Sequence, residues 1–106
     1  MTNLKAIRSF SRHVAREFRP HKIILFGSYA YGRPTEASDV DLLVSMPHRG
    51  SAVRQAVKIE MKVHAPFPLD LLVRTPERLR RRVALGDWFL QEVLQKGRVL
   101  YEAADA

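Results

Sequence analysis

The chain predicts an α/β fold, from three observations. Short apolar runs rich in β-formers occur at residues 23–26, 38–45 and 66–74. Segments with helical apolar spacing lie before, between and after them. Proline and glycine stand at nearly every junction. The resulting order is helix, strand, turn, strand, helix, strand, helices. With 106 residues, 46% of them hydrophobic, there is material for one compact domain over residues 1–106 and no second core.

Asn3 to Phe18 reads as an amphipathic helix on the stripe Leu4, Ile7, Val14 and Phe18. Arg19-Pro20 stops it, because proline disfavours helical geometry in the residue before it. His21 to Phe26 is a strand that ends at Gly27-Ser28. Ser28 to Gly32 is a short helix or turn, and residues 33–37 form a loop. Ser38 to Ser45 is the second strand. Ser51 to His64 is a helix, with Val53, Ala56, Val57 and Met61 at helical spacing as its apolar face. Pro66 to Arg74 is a third strand, interrupted by Asp70. Thr75-Pro76-Glu77 opens a basic helix with a good N-cap and a proline tolerated in the first turn, and Gly86 ends it. Asp87 to Gln95 is a further helix through Trp88, Leu90, Val93 and Leu94, closing at Gly97. Arg98 to Glu102 adds a short strand, and the last residues are expected to fray.

No cysteine is present, so disulfides, thiolate zinc sites and cysteine nucleophiles are excluded, and the cytoplasm is the default location. The longest apolar stretches fall short of a membrane span. The basic start, with Lys5, Arg8, Arg12, Arg16 and Arg19, has the composition of an organellar presequence, but its apolar stripe favours a packed helix. A formal charge of +7, with 18 lysines and arginines against 11 acidic residues, gives a basic surface that concentrates anions: nucleotide, nucleic acid or an acidic protein. Charge alone does not choose among them.

The chemistry concentrates in Phe26-Gly27-Ser28 and, after a short loop, Ser38-Asp39-Val40-Asp41-Leu42-Leu43-Val44. Two aspartates two apart on a strand share a face, while Val40 and Leu42 take the other. They stand roughly 6–7 Å apart, where unit charges at an effective dielectric of 20 repel by about 2.5 kcal/mol. A hard divalent cation such as magnesium offsets that repulsion economically. Gly27-Ser28, where a strand meets a helix start, lets the backbone approach phosphate oxygens, and Ser28 adds a hydroxyl donor. Asp70 is the third carboxylate, in a strand where burial without a partner is costly. Three carboxylates beside a phosphate-binding turn suit a two-metal site: Asp39 and Asp41 hold both ions, and Asp70 binds the one facing the acceptor and helps deprotonate it.

Phe26, Gly27, Ser28, Asp39, Asp41 and Asp70 together resemble the DNA polymerase β-like nucleotidyltransferases, in particular the minimal prokaryotic members encoded beside HEPN-domain proteins. The resemblance spans essentially the whole chain, including the Gly97 to Glu102 ending. It implies a nucleotidyltransferase fold with a small mixed sheet backed by helices, two Mg2+ ions, and a nucleoside triphosphate, ATP, as substrate. It also implies a hetero-oligomeric HEPN partner, an RNase toxin that is adenylylated on a tyrosine, so that this chain acts as antitoxin. Where many relatives carry arginines in the turn after Gly-Ser, this chain has Tyr29 and Tyr31, and its nearby arginine is Arg33.

Blander readings stand beside these. Tyr29 and Tyr31 fit packing or surface positions better than nucleobase stacking. His13, His21, His48 and His64 have no metal-ligand spacing, and Arg78, Arg80, Arg81 and Arg82 read as a solvated face on which an acidic partner could dock. Trp88 and Phe89 read as core or interface. The alternative function is an antitoxin that neutralises its HEPN partner by contact alone. A basic nucleic-acid binder is a weaker third, because the arginine stretch lacks interleaved aromatics.

Overall fold

The computed structural model describes residues 1–104; the expected fraying of the last residues falls partly on Asp105 and Ala106, outside that range. The elements in order are α1 (Leu4–Phe18), β1 (Lys22–Phe26), α2 (Ser28–Tyr31), β2 (Val40–Ser45), α3 (Ala52–Lys62), β3 (Leu69–Arg74), α4 (Pro76–Ala84), α5 (Trp88–Lys96) and β4 (Arg98–Glu102). They build the mixed sheet expected, with strand order β3-β2-β1-β4. β1 runs antiparallel to β2 and β4, whereas β2 and β3 are parallel. A parallel pair needs a crossover, and α3 supplies it. Among the described residues no helix is long and apolar enough to cross a membrane.

Side-chain caps start most helices: Asn3, Ser51, Thr75 and Asp87 each accept a backbone N–H from three residues further on. Pro20 ends α1 as its sequence requires, but Arg19 leaves the helix by a left-handed turn at φ 48° and not in the extended geometry that usually precedes proline. Its N–H donates to the Ala15 carbonyl, which satisfies one of the free carbonyls at the helix end. The second strand starts at Val40, two residues later than expected. Ser38 instead closes a turn in which its hydroxyl accepts from Thr35 N–H at 2.9 Å, and Val40 N–H then reaches the Pro68 carbonyl.

The sheet has an apolar layer on each face. Ile23, Leu25, Val40, Leu42, Val44, Leu71 and Val73 pack under α1 and α3 through Ile7, Phe10, Val14, Ala56 and Ile59. Ile24, Phe26 and Leu43 pack under α4 and α5 through Leu79, Leu90 and Val93. This two-sided cover explains the nearly unbroken apolar run of β2.

The packing of α3 corrects one expectation. Val53 and Met61, placed on its apolar face, are 74% and 71% exposed, and Val57 also faces out. The buried face is Gln55, Ala56 and Ile59. Ala56 is on the expected stripe, but the helix is turned so that Ile59, and not Val53, Val57 or Met61, joins it in the core. Ile59→Val is therefore expected to cost about 1 kcal/mol, and Val53→Ala less than about 0.5 kcal/mol; urea unfolding of both variants checks the assignment. In α5, Leu90 and Val93 are buried as expected, but Trp88, read as part of the same stripe, is 73% exposed.

Candidate active site

β1 delivers its last residue, Phe26, opposite Asp41 of β2. The chain then turns sharply at Gly27, whose φ of 73° and ψ of −156° lie in a region that only glycine occupies readily. A second constraint acts at the same point. A Cβ on Gly27 would overlap Asp41 Oδ2 and stand 3.0 Å from Asp41 Cγ, so glycine is what lets the turn close over that carboxylate. Ser28 opens α2, held by Ala30 and Tyr31 N–H groups donating to the Gly27 carbonyl at 3.0 and 3.1 Å. Gly32 then packs flat on Ser28, with room for no Cβ: one would fall 2.9 Å from Ser28 Cα.

The third carboxylate arrives through strand register. In the parallel β2/β3 pair Asp41 is the direct partner of Asp70, as Leu43 is of Leu72, so the two aspartates stand side by side on one face. That face is the one covered by α4 and α5 around Leu43 and Leu72, but cover stops short of the aspartates: Asp41 is half-buried and Asp70 exposed. The expectation that Asp70 faces a costly burial is thereby corrected, because β3 is an edge strand and leaves its carboxylate in solvent. Asp39 stands exposed, one residue ahead of β2, at the end of the Thr35–Ser38 turn. One wall beside this end is aromatic, since Phe26 meets Phe89 of α5 edge to face at 5.6 Å.

The electrostatic result is concentrated on the middle carboxylate. Partial burial, then the charges of Asp70 and Asp39, and lastly a proton shared with Asp70, push the Asp41 carboxyl up from 3.8 to about 6. A carboxylate this reluctant to ionise gains from a nearby cation. The three side chains do not form a closed cage: among the described residues, no three acidic or imidazole groups are placed to hold an ion by themselves. Oxygen donors on an open strand end nonetheless fit magnesium, which keeps several waters and uses one or two carboxylates with substrate phosphates.

A family model described as the nucleotidyltransferase domain matches residues 7–101, which includes every one of these site residues. The chain belongs to the nucleotidyltransferase domain family. It is 34% identical over 105 residues to "Putative protein adenylyltransferase" of Methanocaldococcus jannaschii, covering 95% of this chain and all of that one. Its fold is similar to the crystal structure of "a putative nucleotidyltransferase" from Sulfolobus solfataricus, with a TM-score of 0.65 at 18% identity over 93% of this chain and 79% of the other. It is also similar to the crystal structure of a toxin–antitoxin with AMP-PNP, with a TM-score of 0.59 at 22% identity over 92% and 75%. The protein is thus a nucleotidyltransferase with the mixed sheet and flanking helices of its relatives.

Two features of the nucleotidyltransferase fold beside this turn were not expected from the sequence, and a third, Tyr29, was. Gly32 supports Ser28, and the visible signal was a second glycine four residues after the first serine of a short helix. Phe89 packs on Phe26, the residue just before the turn, from another element, for which no local signal exists. Tyr29 is resolved in favour of packing: it leans on the core, and its hydroxyl accepts from Thr2 N–H at 3.1 Å. Tyr31 is partly exposed beside it.

Proposed function

We propose that this nucleotidyltransferase, acting as one minimal domain, transfers AMP from ATP to a tyrosine hydroxyl of a HEPN-domain partner and so serves as its antitoxin. The observation that carries the reading is the pairing of Asp41 with Asp70 on an open strand end beside the Gly27-Ser28 turn, with the charge of Asp39 acting on Asp41. A relative named for protein adenylylation and a fold neighbour that is a toxin–antitoxin with AMP-PNP support the choice of acceptor class. The open strand end adds support, because an acceptor presented on another protein can reach an exposed edge.

Asp39, Asp41 and Asp70 would hold magnesium, which when bound would neutralise the triphosphate and ease loss of the acceptor proton. Gly27 gives the phosphates room to lie against the backbone, and the Ser28 hydroxyl donates to a phosphate oxygen. The acceptor proton passes to an Asp70 carboxylate oxygen. The acceptor oxygen then bonds to the α-phosphorus as the bond from that phosphorus to the bridging oxygen breaks, releasing pyrophosphate.

The test is to purify the protein with its HEPN partner and incubate the pair with magnesium and α-labelled nucleoside triphosphates. Label from ATP should appear on the partner and disappear with Asp39→Asn/Asp41→Asn. An unlabelled partner that is still bound and silenced would replace this reading with neutralisation by contact alone.

A further inference from the structure

The arginine-rich helix α4 does not present one uniform basic face. Arg80 lines a small apolar cavity with Leu79 and Val83, whereas Arg78, Arg81 and Arg82 line a separate groove of about 1110 Å³ on the other side. Arg74, at the end of β3, joins them there. Among the described residues Arg74, Arg78 and Arg81 make no ion pair, and Arg82 pairs with Asp87 at 3.2 Å. Arg74 donates one N–H to the Val73 carbonyl at 2.7 Å and keeps the rest of its fork; guanidinium groups without an ion pair, grouped in a groove, suit carboxylate or phosphate.

The apolar part of the same groove narrows the choice. Val73 and Leu90 line it, and at its lip Leu85 is 71% exposed, with the exposed Trp88 one residue past the groove-lining Asp87. Arginines beside an exposed tryptophan are the composition enriched in protein–protein hot spots. Glu77 also lines the groove, without an ion-pair partner among the described residues. A carboxylate there repels peptide carboxylates and phosphodiesters alike, but it accepts a peptide N–H, which a phosphodiester backbone does not offer. The exposed Leu85 and Trp88 beside the guanidinium groups are what favour an apolar-bearing peptide over RNA.

Position gives the groove a use. None of Asp39, Asp41 and Asp70 lines it, so docking there leaves the nucleotide site free. Arg74 nevertheless lies on the same edge strand as Asp70, four residues along, or roughly 13 Å. About four residues of extended chain span that distance.

We propose that the groove of Arg74, Arg78, Arg81 and Arg82 docks an acidic, apolar-bearing segment of the protein substrate, placing the acceptor hydroxyl at the Asp70 edge. This rests on the reading of the acceptor as a protein, and names the surface that recognises it. The probe is a fluorescein-labelled 12-residue peptide of alternating glutamate and leucine, measured by anisotropy in 0.15 M salt against the full chain. A labelled 12-nucleotide uridine RNA serves as the comparison.

The peptide should bind more tightly than the RNA. Arg78→Glu/Arg81→Glu should weaken it at least about tenfold, and Arg78→Lys/Arg81→Lys should retain most of the binding; both positions are exposed, and thermal unfolding verifies that the variants fold. Equal peptide affinity for wild type and the glutamate variant would overturn the proposal. RNA binding stronger than peptide binding, steeply salt-dependent and lost in the glutamate variant, would overturn it in favour of nucleic acid. Because no step of this assay involves nucleotide transfer, a failure here leaves labelling of the partner to be judged separately. Absent labelling with intact peptide binding would count against the transfer reading alone.

Discussion

Asp41→Asn is expected to make the magnesium-free protein more stable near pH 7 while lowering AMP transfer by roughly 10²–10³-fold, the rate equivalent of several kcal/mol of lost charge stabilisation. The two effects have one cause. Asp41 is held beside Asp70 and Asp39 in partly desolvated surroundings, which pushes its carboxyl up to about 6. In the unfolded chain it titrates near 3.8. Below that pH both states are protonated and folding has no penalty from this group. As pH rises from 3.8 to 6 the unfolded chain releases its proton first, so stability falls through this window, and above it the whole penalty is in place. Solvent screens a half-exposed carboxylate, so the penalty at pH 7 is about 1 kcal/mol after discounting. The asparagine variant has no such slope. Thermal melts from pH 4 to pH 7 without magnesium should therefore converge at the acid end and separate towards neutrality, with the variant higher. Adding magnesium and a non-hydrolysable ATP analogue should reverse the order at pH 7, because binding stabilises only the protein that retains the site. Parallel melting curves at all pH values would show that the carboxylates do not repel one another as their register implies.

Gly27→Ala should damage fold and site together. The substitution introduces a side chain at φ 73° and ψ −156° and drives its Cβ into the Asp41 carboxylate. Backbone strain and overpacking together cost about 2–4 kcal/mol, or roughly 10–25 °C in Tm for a domain of this size. Activity should fall even at temperatures where the variant is folded, since Asp41 must move to make room. A second substitution separates the two costs. Gly27→Ala/Asp41→Ala keeps the strained backbone but removes the colliding carboxylate, so the two changes should be less destabilising together than the sum of each alone. Strict additivity in urea unfolding would mean that the turn does not close against Asp41.

Much of this was legible from residues alone. Phe26-Gly27-Ser28 and Asp39-x-Asp41 are local patterns that need no distant contact to be seen, although Asp39 falls one residue ahead of β2 and outside its alternation. The cap at Thr75 was legible for the same reason, since it acts on an N–H three residues away; Asn3, Ser51 and Asp87, read as the first residues of their helices, cap them in the same way. The face of α3 was not legible. Of the stripe Val53, Ala56, Val57 and Met61 only Ala56 is buried, together with Ile59, and hydropathy cannot say to which side of Ala56 the sheet will turn the helix. Arg78, Arg80, Arg81 and Arg82 were read as one basic face; helical spacing sets Arg80 apart from the other three, and the two cavities they line form only when α4 packs in the fold.

By itself, then, the sequence determined the α/β order and the family, and it put forward Asp39, Asp41, Asp70 and the Gly27-Ser28 turn as candidates, because each is a matter of residue type and local pattern. Tertiary structure decided what those residues do to one another. Asp41 and Asp70 become neighbours only through the register of two parallel strands joined by a helical crossover, and that register is set by how Leu42, Leu43, Leu71 and Val73 fill the two apolar layers. Side-chain alternation is a property of one strand, whereas register belongs to the packing of the whole sheet.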